Sequence, residues 1–335
     1  MTLSAEPETI DPIPAGTADA VVIGGGAAGL NAALMLARSR RSVVVVDSGS
    51  PRNAPAVGVH GLLGLDGTAP ADLLRRGRAE VRGYGAAVVP GQVVAAAPAP
   101  PEDGDLRFTI ALADGRAVTA RRVLVATGLR DVLPDIPGLA QHWGRDLVHC
   151  PYCHGWEVRD QAIGVLGVGA ASLHQAMLFR QLTDDLVFFT GGLEVGEEDR
   201  NRLVARDVRI VDTPVQRVLE ADDGGIAGVA LVDGSSVPRR VLAVATTLQV
   251  RSEGLDGLGL GVEDLPGNMG RRFASGIAGT TEVPGVWVAG NAADPMAQVG
   301  ASAAAGALAG AHINASLVAA DIDAAVAGHQ PSARR

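Results

Sequence analysis

Ala18-Asp19-Ala20-Val21-Val22-Ile23-Gly24-Gly25-Gly26-Ala27-Ala28-Gly29-Leu30 is an apolar run that breaks into glycines and resumes as an Ala/Leu-rich stretch. The pattern reads as a strand over 18–23, a turn over 24–29 and a helix over 30–39. Gly24, Gly26 and Gly29 have the Gly-x-Gly-x-x-Gly spacing. The first glycine allows a tight turn, the second lets backbone approach a pyrophosphate, and the third lets helix and strand pack closely. Phosphate charge then meets the positive end of the helix. A second strand over 42–46 ends in Asp47, whose carboxylate suits an adenosine ribose hydroxyl. The unit therefore reads as a dinucleotide site, with Gly24, Gly26, Ala27, Ala28, Gly29, Asp47 and Ser48 as its contacts.

Downstream, residues 50–66 are loop-rich, with Arg52, Asn53, His60 and Gly61, and their position after the second strand makes them a lining for the cofactor. Arg52 and Val93 are candidate contacts. Residues 69–83 read as a helix with an Arg-rich solvated face. Residues 88–97, 106–112 and 117–126 alternate as a β-meander. The last strand closes on Ala126-Thr127-Gly128, and a Pro-rich exit follows at 133–138, where the chain leaves one domain.

The opening theme then recurs as a strand over 162–166, the turn Gly167-Val168-Gly169-Ala170-Ala171-Ser172, a helix over 173–182 and a strand over 186–190. It has two departures. Ser172 stands at the third glycine position, and the second strand runs into Gly191-Gly192 where a reader of the NADP 2′-phosphate would need Arg. Residues 208–230 and 237–247 read as strands completing this unit, and residues 246–251 as the return crossing. A last strand ends in Ala289-Gly290-Asn291, and a long Ala/Gly-rich helix over 300–320 starts just after Gln298-Val299. Its start offers backbone donors to a flavin ring and ribityl chain, with Gly290, Asn291, Gln298 and Val299 as contacts.

Both cysteines fall in His149-Cys150-Pro151-Tyr152-Cys153-His154-Gly155. Cys-x-x-Cys is the spacing of thiol–disulfide exchange centres. Pro151 suits a first helical turn that points backbone N–H groups at the Cys150 sulfur. The same spacing makes half a zinc site, but only His149 and His154 stand near enough to complete one, from cramped positions. Cys-x-x-Cys-His also matches c-type haem attachment, a chemistry of exported chains, and two buried structural cysteines are the plain alternative.

Acidic residues number 37 and basic ones 28, and the net charge of −9 opposes a nucleic-acid partner. All 28 basic residues are arginine, which removes P-loop and Schiff-base chemistry. The first 18 residues lack a basic n-region, and the uncharged window 20–37 is glycine-interrupted, so the reading is a soluble cytoplasmic protein without a membrane span. In that compartment a Cys-x-x-Cys pair is more often catalytic than a staple.

In this order, the first glycine unit, the Ala-Thr-Gly exit, the second unit behind a Cys-x-x-Cys and the Val-Ala-Gly-Asn return resemble low-molecular-weight thioredoxin reductases over residues 18–325. Cys150-Pro-Tyr-Cys153-His154-Gly155-Trp156-Glu157 is similar to the thioredoxin-reductase-like dithiol oxidases of gliotoxin, holomycin and romidepsin biosynthesis. The resemblance implies an α/β fold of two Rossmann-like domains in a three-layer ββα arrangement. It implies an FAD domain from 18–134 and 249–325, an NAD(P)H-type domain over 138–245 with a degenerate nicotinamide site, and flexible termini at 1–17 and 326–335. It implies FAD as cofactor and a homodimer whose cleft the partner helps to bound. Three positions depart from thioredoxin reductases: His154 stands for an Asp, Gly191-Gly192 for paired Arg, and Gly290-Asn291 for Gly-Asp. On this likeness Cys153 engages the flavin, Cys150 exchanges with a small-molecule dithiol, and His154 accepts thiol protons. Electrons pass to FAD and then to O2, giving H2O2. The alternatives are an NAD(P)H-dependent thioredoxin-type reductase and a non-catalytic flavin- or metal-binding module. No metal site is expected.

Overall fold

The computed structural model describes residues 11–102 and 104–329. Val-rich runs with no polar face form the strands at the centre, because a parallel sheet is covered on both sides. The chain begins β1 (Thr17–Ile23), α1 (Ala27–Arg38), β2 (Val43–Asp47), α2 (Pro70–Gly83) and β3 (Ala87–Pro90). It continues through β4 (Val93–Glu102), β5 (Asp105–Leu112) and β6 (Ala117–Val125). Strands β3, β2, β1 and β6 are parallel neighbours. The start of β6 pairs antiparallel with β5, while its end pairs parallel with a later strand at Val286–Val288. One long strand thus belongs to two layers: helices, a parallel sheet and an antiparallel meander.

The expected single strand over 88–97 is in fact two. Val88 and Val89 lie in the parallel layer beside β2, the chain breaks at Gly91-Gln92, and Val93 opens the meander. Unbroken apolar alternation across the turn concealed the change of layer.

The chain leaves through β7 (Leu129–Val132) and builds a second parallel sheet from β8 (Leu147–Val148), β9 (Ile163–Leu166), β10 (Leu186–Phe189) and β11 (Arg209–Val211), with α3 (Pro151–His154), α4 (Ala171–Phe179) and α5 (Glu197–Val204) between them. A meander of β12 (Val215–Glu220), β13 (Ile226–Leu231) and β14 (Ser236–Pro238) precedes β15 (Val241–Val244), which lies between β8 and β9. The return strand β16 (Thr247–Val250) pairs antiparallel with β7 and joins β17 (Val262–Asp264) and β18 (Gly270–Phe273) in a four-stranded connecting sheet. Two three-layer ββα lobes result, as the resemblance implied.

The closing elements are β19 (Val286–Val288) and α6 (Val299–Gly328). α6 has the length and apolarity of a membrane span. Its inner face is nevertheless core, with Ala309, Ile313 and Leu317 fully buried, while Leu308, Val318, Ile322 and Val326 are exposed. Glycine makes close packing possible here: a Cβ at Gly306 would lie 2.0 Å from the Ala28 carbonyl oxygen of α1. The helix exceeds its expected end at 320 because the Ala-rich run meets no stop until Gly328. Of the termini expected to be flexible at 1–17 and 326–335, residues 1–10 and 330–335 lie outside the described residues, and α6 runs to Gly328. Asp11 accepts hydrogen bonds from Arg82 Nε and the Val88 N–H, both at 2.7 Å.

An arginine–carboxylate network fastens α6 to the sheet. Arg121 bonds Asp105, Asp19 (3.0 Å) and Asp321 (2.6 Å), Arg122 bonds Asp105 (2.9 Å), and Arg41 bonds Asp321 (2.7 Å). Burial works to raise the Asp105 carboxyl, but hydrogen bonds from Arg121 and Arg122 overcome it and hold it down at about 2. A depressed carboxyl stabilises the fold above its unfolded value of 3.8 and loses that contribution as pH falls toward 2. Asp105→Asn should therefore lower unfolding free energy at pH 7 by about 2 kcal/mol. In urea titrations this gap should close on acidification, whereas a pH-independent gap would rule the network out as its source.

Candidate functional site

A cleft of about 1290 Å³ runs between the lobes, lined by the 24–28 turn, Asp47, residues 48–60, the cysteine segment, the start of α4 and the start of α6. Its floor is shaped by backbone contacts. A Cβ at Gly24, whose φ is +110°, would lie 2.3 Å from the Ala126 carbonyl oxygen, and one at Gly29 would lie 1.9 Å from the Gly24 carbonyl oxygen. A Cβ at Gly26 would meet nothing within 4 Å, so this glycine keeps open space at the start of α1. Neither α1 nor α6 has a side-chain cap or an acidic residue in its first turn. Two sets of unsatisfied N–H groups therefore face one cleft, which fits a phosphate-bearing, multiply hydrogen-bonding group such as a flavin dinucleotide.

The structure brings Gly24, Gly26, Ala27, Ala28, Asp47, Ser48, Arg52, Val93, Ala126, Thr127, Gly128, Gly290, Asn291, Gln298 and Val299 to this one cleft. Gly29 stands behind it, packed on Gly24. Some of these side chains already have partners. Arg52 grips Asp131 of β7 through two bonds of 2.5 and 2.7 Å, and Thr246 Oγ1 donates to the same carboxylate at 2.6 Å. Burial works to raise the Asp131 carboxyl, but the Arg52 contacts prevail and lower it. Thr127 Oγ1 donates to the Arg251 carbonyl, and Arg251 Nη1 donates to the Ser50 carbonyl. Asn291 donates from Nδ2 to the carbonyls of Asp294, Pro295 and Ala297, pinning the loop that leads into α6. Sequence reading missed Asp131, Arg251 and Gln175, because no local pattern marks residues whose partners lie 26 to 201 positions away.

Cys150 and Cys153 form a disulfide on the opposite wall. Cys150 is the N-cap of α3, Pro151 fills its first turn, and the Cys153 N–H donates to Cys150 Sγ at 3.2 Å. The expectation drawn from Pro151 is met. Gln175 of α4 steadies the segment from behind, donating to the His149 carbonyl at 2.6 Å. His149 is enclosed, with Nδ1 3.0 Å from the Val244 carbonyl and 3.3 Å from the Thr246 N–H. Burial, then the nearby Arg52 charge, lowers its pKa against the pull of Asp131. His154 lines the cleft with both ring nitrogens buried and no hydrogen-bond partner among the described residues. Burial also lowers its pKa, with Glu157 opposing and His60 assisting, so the ring is neutral near pH 7 and able to take a proton.

The second glycine unit is built differently. Gly167 and Gly191 hold strand ends backbone to backbone. Ser172, fully buried, accepts from the Val168 N–H at 3.1 Å and so uses a turn donor. Arg200, the next arginine after the second strand, is committed to Asp212 at 2.6 Å.

Gly26→Ala should fold normally and release its flavin more readily, whereas Gly29→Ala should fail to fold stably, because its Cβ meets backbone. Flavin retained per folded protein checks the pair; equal retention by Gly26→Ala and wild type would remove Gly26 from the cofactor site.

The chain is 47% identical to the protein in a crystal structure of HlmI, with a TM-score of 0.87 over 95% of this chain and 98% of that one. It is 34% identical to thioredoxin reductase tcpT of Claviceps purpurea (82% of this chain, 86% of that protein) and 31% identical to thioredoxin reductase sirT of Leptosphaeria maculans (91% and 96%). The family model described as pyridine nucleotide-disulphide oxidoreductase matches residues 18–309. The chain therefore belongs to the pyridine nucleotide-disulphide oxidoreductases, as a thioredoxin-reductase-like flavoprotein oxidoreductase.

Proposed function

We propose that this protein is a cytoplasmic FAD-dependent oxidase that closes a disulfide in a small-molecule dithiol and passes the electrons to O2. The carrying observation is the Cys150–Cys153 disulfide beside an unpartnered His154, across one cleft from the 24–28 turn and the start of α6. A substrate thiol gives its proton to His154, and the thiolate attacks Cys150, releasing Cys153. The second substrate thiol then displaces Cys150, leaving a substrate disulfide and two cysteine thiols. FAD, when bound, supplies the two-electron acceptor that restores the Cys150–Cys153 disulfide and delivers two electrons and two protons to O2 as H2O2. Atoms balance as dithiol plus O2 giving disulfide plus H2O2.

On the cofactor side, the 24–29 turn and α1 would hold the pyrophosphate, Asp47 the ribose, and the start of α6 the ring and ribityl chain. The Ser172–Val168 bond and the engaged Arg200 support electron supply from thiols and not from a nicotinamide. The exposed aliphatic face of α6 supports a homodimer. A second reading, an NAD(P)H-dependent disulfide reductase, draws on the relatives' names and on Gly169, where a Cβ would meet nothing.

Anaerobic flavin absorbance separates the two. Dithiothreitol alone should bleach the protein, with colour and peroxide returning in air, and Cys153→Ser should keep its flavin and not bleach. Fast bleaching by NADPH or NADH would replace this function with the reductase. His154→Ala should lose about 10²-fold in kcat as for loss of a general base; a wild-type rate would make the imidazole a bystander.

A further inference from the structure

Three arginines line the cleft where the crossing strands β7 and β16 meet the loop after β2: Arg52, Arg130 and Arg251. Two of them are committed to carboxylates, Arg52 to Asp131 and Arg130 to Glu253. Arg251 makes no ion pair among the described residues, and of its five guanidinium N–H groups one is matched, by the Ser50 carbonyl at 2.8 Å. The side chain is half-buried. Burial and then the Arg130 charge work against its cation, while Asp47 and Asp131 favour it from beyond ion-pair distance. A guanidinium left with idle donors in a shielded cleft calls for an acceptor that the chain itself does not provide.

Its position says which acceptor. The Arg251 N–H donates to the Gly128 carbonyl at 3.2 Å, and the Arg251 carbonyl accepts from Thr127 Oγ1 at 2.8 Å, so its backbone is fixed to the turn that closes β6. That turn lies against the first glycine of the dinucleotide unit, with the Ala126 carbonyl oxygen 2.3 Å from where a Gly24 Cβ would stand. From there the side chain crosses to Ser50, in a loop drawn toward Asp47 by the Gly49 N–H, which donates to Asp47 Oδ1 at 3.3 Å. Arg251 thus bridges the turn beside α1, which suits pyrophosphate, and the turn carrying Asp47, which suits the adenosine ribose. We propose that Arg251 is a cofactor-binding residue that grips the ADP half of FAD with the guanidinium donors Ser50 does not use. A planar fork of N–H groups matches phosphate oxygens, and its face stacks on an aromatic ring such as adenine. The inference rests on the reading of this cleft as the FAD site. It adds a fixed cation to a cradle otherwise built from backbone donors and the Asp47 carboxylate.

Arg251→Met keeps a long side chain and removes its donors. In holoprotein followed by the fluorescence of released flavin, the FAD dissociation constant should rise about 10-fold or more, the scale of a lost charge-assisted hydrogen bond. ADP added as a competitor for the site should weaken by the same factor. The visible flavin spectrum and midpoint potential should match wild type, because the contact is remote from the ring. Arg251→Lys, which keeps the charge but not the fork, should fall between the two. Unchanged FAD and ADP affinities in Arg251→Met overturn the inference. So does a loss of FAD affinity with ADP competition intact, which would put the guanidinium at the flavin half. A loss accompanied by a shifted spectrum also overturns it, since a merely structural clasp on Ser50 would act by reshaping the whole cleft. If Arg251→Met fails to fold, Arg251→Lys decides by the same criterion, and undiminished ADP competition overturns the inference. Wild-type protein that takes up no FAD, or FAD that ADP cannot displace, sinks the cofactor reading together with the inference. Normal wild-type binding beside an unaffected Arg251→Met sinks the role of Arg251 alone.

Discussion

Backbone meets backbone at the heart of this protein, and that closeness fixes everything around it. Gly29 sits against the Gly24 carbonyl, Gly24 against Ala126, and Gly306 against Ala28, each at a distance no side chain tolerates. These contacts bring the N-termini of α1 and α6 to one cleft with no acidic residue in their first turns. Adding a single methyl group at those positions would separate the helices, and the cleft floor would lose its shape along with its donors.

The opposite wall is held in another way. Polar ties join Arg52 of the first lobe and Thr246 to Asp131 of the connecting strand β7, and His60 of the first lobe meets Glu157 of the second. Arg52 and Asp131 are largely shielded from water, which makes their attraction stronger than a surface pair and makes a lone survivor costly. The result is a disulfide segment whose position depends on residues from both lobes. The two unsatisfied nitrogens of His154 stand out against this background, since most other polar groups nearby are matched.

Much of this was legible before the fold was known. The first glycine unit, the Cys-x-x-Cys with Pro151, and the return at Gly290-Asn291 announce themselves because their chemistry depends on neighbours in sequence. The break at Gly91-Gln92 was not legible, since apolar alternation is the same in either layer, nor was the true length of α6 in a run without punctuation. The partners of Arg52 and Asn291 were also hidden. Both residues read as cofactor contacts from position alone, yet Arg52 faces a carboxylate 79 residues away and Asn291 ties its own loop. His60 was visible only as a histidine in a loop, because its meaning comes from Glu157 on the other lobe.

The chain crosses between lobes twice, through β7 and β16, and the two crossings are hydrogen-bonded to each other from Leu129 to Val250. This neck behaves as a ribbon and not as a pair of loose tethers. Swivelling one lobe on it would twist the ribbon and break the His60–Glu157 contact. The geometry thus favours a stationary terminal over a swinging arm, with the Cys150–Cys153 pair held at the cleft.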